Sequence, residues 1–343
     1  MKFYRFGILL FLFIFIIYYL SNKPYIDQDI DKSIYLKIFR PSHPWGKGLK
    51  RNSDIEINLQ IQDTKKNKKT IASMLMSRCL YKLDNKLYLS KFLQKKKYYP
   101  KTHIYNNKNR YIPNDNNTWF IKKCDYTSFG GKNIYIANSH KDIKNVLGQS
   151  NTYIIQKSIS DVYLFNGIKG DMRMHYLITL YKNKLKFYLY KDGHIKLAKY
   201  KYNKDNITTE VQLTNVSQVK ENESARSLHF SQDLVNYEPM FLKIKYLLTD
   251  LSKEIKKSFP PKYKSFYALE YQLCGPDIIF DNNMNPYLLE LNTNFPAYVM
   301  KKDIKEVKKT KRNIADILTN QLFKNAINNE DINLENHGFV RLL

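Results

Sequence analysis

Cysteine is scarce in this chain: three in 343 residues, at Cys79, Cys124 and Cys274. They lie too far apart to make a zinc-ligand pattern or a disulfide framework. Acidic side chains are also few, with 31 Asp and Glu against 57 Lys and Arg, a formal net charge of +26. No recognised nucleic-acid motif accompanies that charge. No convincing protein nucleophile stands beside a base. Long apolar runs are lacking with one exception, residues 6–20. That run (FGILLFLFIFIIYYL) follows Lys2 and Arg5, and with its flanks it nearly reaches the roughly 20 residues a membrane span needs. No small-residue cleavage site follows it, since Tyr18-Tyr19-Leu20-Ser21-Asn22-Lys23 is bulky. An uncleaved signal anchor is therefore expected over residues 1–24 rather than a signal peptide.

What is present fits a globular enzyme or binding module. Apolar content is 43% and aromatic content 14%, and the length suffices for a sizeable core. The positive excess suits an acidic protein, anionic lipid or nucleic acid. It equally suits a general compositional bias, because Lys, Asn, Ile and Tyr are abundant together throughout. Residues 25–70 read as a polar stalk, and 71–93 carry helix-like apolar spacing.

The most informative stretch is residues 271–296. An apolar segment, Pro276-Asp277-Ile278-Ile279-Phe280, precedes a cluster of turn formers from Asp281 to Pro286. Tyr287-Leu288-Leu289-Glu290-Leu291-Asn292 follows as a second strand. Alternation places Glu290 and Asn292 on one face and Leu289 and Leu291 on the other. A turn centred on Asn283-Met284 sets Asp277 opposite Glu290, within the roughly 4.5–5.5 Å of directly opposed side chains. Two carboxylates and an amide oxygen suit a hard cation such as Mg2+, which usually also binds substrate phosphates. The competing reading is an ordinary hairpin with exposed acids.

Earlier in the chain, Thr118-Trp119-Phe120-Ile121-Lys122 reads as a strand ending in lysine. A loop, Ser128-Phe129-Gly130-Gly131-Lys132-Asn133, leads to a strand at Ile134. Glycines there would let backbone N–H groups approach phosphates. The loop opens no helix, so it is neither a Walker A motif nor a dinucleotide fingerprint. Tyr153-Ile154-Ile155-Gln156-Lys157 is another strand. Lys169-Gly170-Asp171-Met172-Arg173 opens a long strand running on to residue 181. Strands at 185–190 and 195–200 are expected to pair about a turn at Asp192-Gly193. Residues 239–259 and 304–323 have helical periodicity, the latter with a basic face.

In this order, the blocks resemble the tubulin–tyrosine ligase family of ATP-grasp ligases, which includes polyglutamylases and polyglycylases. Trp119-Phe120-Ile121-Lys122 is similar to that family's WIxK strand, Ile155-Gln156-Lys157 to its VQKY segment, and residues 169–173 to KFDIR. Residues 128–134 resemble its glycine-rich loop. Tyr188-Leu189-Tyr190-Lys191-Asp192-Gly193 resembles YLYxxG, and Leu213-Thr214-Asn215 matches LTN. Gly275-Pro276-Asp277 and Leu288-Leu289-Glu290-Leu291-Asn292 resemble GFD and LLEVN. The matches cover roughly residues 71–300.

The resemblance implies an α+β, ATP-grasp fold with ATP between two α+β lobes. The expected divisions are a small N-terminal domain over 71–115, a central lobe over 116–158, a C-terminal lobe over 159–325 and a tail over 326–343. The resemblance assigns Lys122 to the phosphates, Gly130, Gly131 and Lys132 to a cover over them, and Gln156 and Lys157 to the adenine edge. Lys169, Asp171 and Arg173 would face the phosphates and the reacting carboxylate. Thr214 and Asn215 would line the nucleotide pocket, and Asp277, Glu290 and Asn292 would hold Mg2+. Three positions depart from the pattern. Lys196 stands where the family commonly has Arg, keeping the charge without the bidentate fork. Pro276 replaces an aromatic residue, and Asn133 a glycine. The implied activity is ATP-dependent joining of an amino acid to an acidic protein acceptor such as a tubulin tail, through an acyl phosphate, with no nucleic-acid partner. The alternative is a membrane-anchored module that binds nucleotide or an acidic partner without ligation.

Overall fold

The structure, a computed structural model, describes residues 83–124, 133–148, 151–214, 227–259, 268–293 and 303–343. It also gives the backbone of three earlier strands, β1 (Ile34–Ile38), β2 (Ile57–Ile61) and β3 (Ile71–Ser73). The anchor run, the Gly130-Gly131-Lys132 loop and Asn215 lie outside the described residues. Among those described, no helix is long and apolar enough to cross a membrane.

Besides the antiparallel pair β1–β2, two larger sheets make the frame. The smaller is antiparallel, in the order β4 (Thr102–Tyr105), β7 (Tyr153–Lys157), β5 (Trp119–Lys123), β6 (Ile134–Ala137). Along β5 the burial alternates. Trp119 and Ile121 sink into a core with Ile143, while Phe120 and Lys122 take the other face. Ile143 comes from a short helix at His140–Val146, started by Ser139, whose hydroxyl accepts from the Asp142 N–H. Asn133, just before β6, adopts φ 61°. Asparagine tolerates that left-handed conformation better than most residues, which is how it replaces glycine there.

The larger sheet has ten strands. Its members besides β3 are β8 (Leu164–Phe165), β9 (Ile168–Arg173), β10 (Tyr176–Tyr181), β11 (Lys184–Tyr190), β12 (His194–Lys201), β13 (Ser227–His229), β14 (Leu269–Phe280), β15 (Pro286–Asn292) and β16 (Phe339–Arg341). Strand β14 is buried along its whole length. Its first half pairs with β10 and, in parallel, with β3. Its second half pairs with β15 and β9. One side is covered by the helix Tyr237–Ser258, through Met240, Ile244, Leu248 and Leu251. The other carries a second core, where Tyr271 and Leu273 meet Ile314, Leu322, Phe323 and Phe339.

The structure differs from the sequence reading in several places. Residues 71–73 form β3 rather than the start of a helix, their backbone pairing in parallel with Leu269–Tyr271. The helix Lys86–Leu93 begins only after Asn85, whose side chain accepts from the Tyr88 N–H. The strand expected from 169 to 181 breaks at Met174-His175 into β9 and β10. The hairpin expected about Asp192-Gly193 does not form: β11 pairs with β10 and β16, and β12 with β9 and β13. Gly193 instead lies against the β9 backbone, where a Cβ would fall 2.4 Å from the Arg173 carbonyl oxygen. Thr102–Tyr105 belongs to the smaller sheet. Phe339–Arg341, within the expected tail, is an edge strand of the larger one. On the helix Lys305–Ile317, within the stretch expected to carry a basic face, Lys311 is buried and its Nζ donates to Asp303 at 2.8 Å.

Candidate active site

The two sheets face each other across a cleft of about 680 Å3, open mouth included. One wall is the Phe120–Lys122 face of β5 with Gln156 and Lys157 of β7. The other is built from β9, β12 and the β14–β15 hairpin, presenting Lys169, Asp171, Lys196, Asp277 and Glu290. Leu213 and Thr214, after the helical turn Thr209–Gln212, close one side.

Strand register assembles the charged floor. Asp277 sits opposite Glu290 in β15 and opposite Arg173 in β9, and Asp171 sits opposite Lys196 in β12. The Arg173 guanidinium forks onto Asp277, with Nε to Oδ1 at 2.5 Å and a terminal nitrogen to Oδ2 at 2.8 Å. Lys196 Nζ lies 2.7 Å from Asp171 Oδ1 and 2.9 Å from Asp277 Oδ2. The Thr214 hydroxyl donates to Asp171 Oδ2. Burial works to raise both aspartates. For Asp277, Arg173 and Lys196 outweigh it and hold the carboxyl well below the usual range. For Asp171, burial wins over Lys196 and the carboxyl is raised. Burial would lower Lys196, but Asp171 and Asp277 keep its ammonium raised.

The hairpin forms largely as its sequence suggests. The Asp281 carboxylate accepts from the Asn285 N–H at 2.7 Å and from its amide at 2.9 Å, and Met284 takes φ 62°. Leu289 is the correction. Register shifts between Asp277 and Ile278, so that Ile278 faces Leu288 and the pair Leu289-Glu290 opposes Asp277 alone. This β-bulge interrupts the alternation. Leu288 and Leu291 are buried, whereas Leu289 is half-buried and lines the cleft beside Glu290. Pro276 fits a central strand for a local reason. Its carbonyl accepts from Met174 N–H at 3.1 Å. The N–H it lacks would point to that same side, where β9 gives way to β10 and the partner strand is already broken.

Asn292 Nδ2 donates to Asp277 Oδ2 at 3.2 Å and to Glu290 Oε1 at 3.0 Å, so the three expected cation ligands do converge. Their donor chemistry fits a hard cation. Among the described residues no three of His, Cys, Asp and Glu come together. A cation here would therefore draw on the amide oxygen, after a half-turn of Asn292, and on oxygens of a bound phosphate.

Toward the other end, Lys122 Nζ donates to Gln156 Oε1 at 2.7 Å, and Gln156 Nε2 to Thr102 Oγ1 at 3.2 Å. Lys169 Nζ donates to Gln212 Oε1 at 3.1 Å and lies 4.8 Å from the centre of the Phe120 ring. Burial lowers both lysines to about 8, against the opposing pull of Glu290 on Lys122 and of Asp171 on Lys169. Phe120 and Gln212 escaped the sequence assignment. The signals were available: Phe120 shares a strand face with Lys122, and Gln212 immediately precedes Leu213-Thr214-Asn215.

A model of the tubulin-tyrosine ligase family matches residues 51–331. Among curated proteins, the chain is 26% identical over 219 residues to a probable alpha-tubulin polyglutamylase, Ttll1 of Tetrahymena thermophila, covering 57% of this chain and 52% of that one. It is 27% identical over 231 residues to probable tubulin polyglutamylase TTLL2 of Mus musculus, covering 62% and 40%. It is 28% identical over 198 residues to tubulin glycylase 3F of Tetrahymena thermophila, covering 51% and 21%. The chain thus spans about half, or less, of the length of these relatives.

Proposed function

This chain belongs to the tubulin-tyrosine ligase family, and from that premise we propose that it is an ATP-dependent ligase joining an amino acid to a carboxylate of an acidic protein. Tubulin is the first acceptor to test, with glutamate or glycine as the amino acid, following the printed names of its relatives. The observation that carries the reading is the floor of the cleft. Arg173 and Lys196 hold Asp277 ionised beside Glu290 and Asn292, Lys196 also pairs with Asp171, and Lys169 stands on the same wall of the cleft with Lys122 on the facing one.

Lys122 and Lys169 would meet the triphosphate, with Phe120, Gln156 and Leu213 around the base. Asp277, Glu290 and Asn292 would hold Mg2+, which supplies charge neutralisation to the transferring phosphoryl group. Arg173 would orient the acceptor carboxylate. The carboxylate oxygen attacks the γ-phosphorus, the bond to the β,γ-bridging oxygen breaks, and ADP leaves. The amine then attacks the acyl carbon of the acyl phosphate. The C–O bond to phosphate breaks, and phosphate departs with the amine's proton. Positioning and fixed charge suffice for both steps, so no protein nucleophile is needed. From its apolar run alone, we propose separately that residues 1–24 anchor the protein in a membrane.

The test incubates the full-length protein with ATP, Mg2+, glutamate or glycine, and acidic peptides, with products weighed by mass spectrometry. Glu290→Gln preserves shape and removes a charge from the floor. It should cut product by about 100-fold or more while leaving the fold intact. Full activity in Glu290→Gln would reject the site, and no ATP binding by the folded protein in calorimetry would reject the reading.

A further inference from the structure

The Lys122 ammonium is held by a chain of side chains that reaches beyond the cleft. Gln156 lies on β7 between two neighbouring strands, opposite Thr102 of β4 and opposite Phe120 of β5. One face of the smaller sheet therefore carries Thr102, Gln156, Phe120 and, two residues on from Phe120, Lys122. Gln156, Phe120 and Lys122 line the cleft, and Thr102 does not.

Donors and acceptors along this chain have one consistent arrangement. Thr102 Oγ1 directs its single proton to the Pro100 carbonyl oxygen at 2.7 Å, so toward Gln156 it accepts. The Gln156 amide nitrogen meets it at 3.2 Å. That turns the amide oxygen to Lys122, 2.7 Å from Nζ. An ammonium has three donors and no acceptor, so the reverse orientation of the amide would set N–H against N–H. Gln156 is 2% exposed, so water does not readily replace a lost partner. The start of β4 is itself seated on the helix Lys86–Leu93. The buried Tyr99 hydroxyl meets Ser90 Oγ at 2.8 Å, and the Ser90 hydroxyl donates to the Lys86 carbonyl oxygen at 2.8 Å.

We propose that Thr102 is a positioning residue for the nucleotide phosphates. Its hydroxyl sets which way the Gln156 amide faces, and the amide oxygen holds the Lys122 ammonium where the phosphates arrive. Thr102 acts through two other side chains and touches no substrate. The proposal rests on the ATP-ligase reading. Without the Thr102 oxygen, the Gln156 nitrogen loses its acceptor, the amide is free to turn, and Lys122 loses its fixed place before ATP binds.

The test measures ATP binding by titration calorimetry at pH 7 with Mg2+, on the full-length protein in detergent. Thr102→Val keeps the shape of threonine and removes the acceptor. It should weaken binding about tenfold, the scale of one lost hydrogen bond. Thr102→Ser, which keeps the hydroxyl, should bind ATP as the wild type does. On a Lys122→Met background, where the ammonium is already gone, adding Thr102→Val should weaken binding no further. Wild-type affinity in Thr102→Val would overturn the proposal. So would an equal loss with and without Lys122, or a loss as large in Thr102→Ser. Thr102→Ala removes the same acceptor and carries the same comparisons if the valine variant fails to fold. A folded wild type that binds no ATP would instead reject the ligase reading itself.

Discussion

Lys122 and Lys169 titrate near 8 because the cleft disfavours their charged forms, whereas an unfolded lysine titrates near 10.4. Between those values the unfolded chain binds more protons than the folded one, so stability rises with pH across that interval. Below about 8 both lysines are charged in both states, and the folded protein bears the full cost of holding them. Bound phosphates would favour the charged forms again. ATP binding should therefore take up protons at pH 9 and almost none at pH 7. Calorimetry in buffers of different ionisation heat reads this directly. Lys122→Met should reduce the uptake at pH 9, and equal uptake at both pH values would show that these lysines do not meet the phosphates. The same two residues were legible in the sequence, each sitting at a fixed place in a strand motif. Their contacts to Gln156 and Gln212 were not, because those depend on which strands become neighbours.

At the scale of elements, the hairpin β14–β15 shows where sequence reading succeeds and where it stops. Turn formers from Asp281 to Asn285 set the register, and alternation then placed Asp277 opposite Glu290, as the structure has it. The bulge was hidden. Leu288-Leu289 reads as a pair of core residues whichever one is extra, and only packing decides which is buried. Pairing partners failed for a related reason. Tyr190 and His194 flank a turn-like Asp192-Gly193, yet β11 and β12 find better partners far away in sequence. Substitution should separate the two leucines. Leu288, fully buried, should cost about 2–5 kcal/mol as Leu288→Ala. Leu289, half-buried at the cleft, should cost under about 1 kcal/mol as Leu289→Ala. Chemical denaturation that ranks them the other way would contradict the bulge.

Across the whole molecule, distant parts of the chain meet in one sheet. Strand β3 lies parallel to β14, and β16 closes the edge beside β11. Such long-range pairings leave no local pattern to read, which is why residues 326–343 resembled a tail. Phe339 is 1% exposed, with its ring 5.0 Å from Tyr190 and 6.5 Å from Tyr188. The two ends of the chain should therefore respond differently to removal. Ending the chain after Asn333 takes Phe339 out of the core, a loss on the scale of a Phe→Ala change, about 3–5 kcal/mol. It also exposes the edge of β11, which favours aggregation. Removing residues 1–24 deletes the apolar run, which lies outside every matched motif. That change should release the protein from membranes and leave its unfolding transition where it was. Flotation on a density gradient measures the first effect and thermal unfolding the second. A truncated protein that still floats with vesicles would show a second attachment, and one that unfolds early would show that the apolar run belongs to the core.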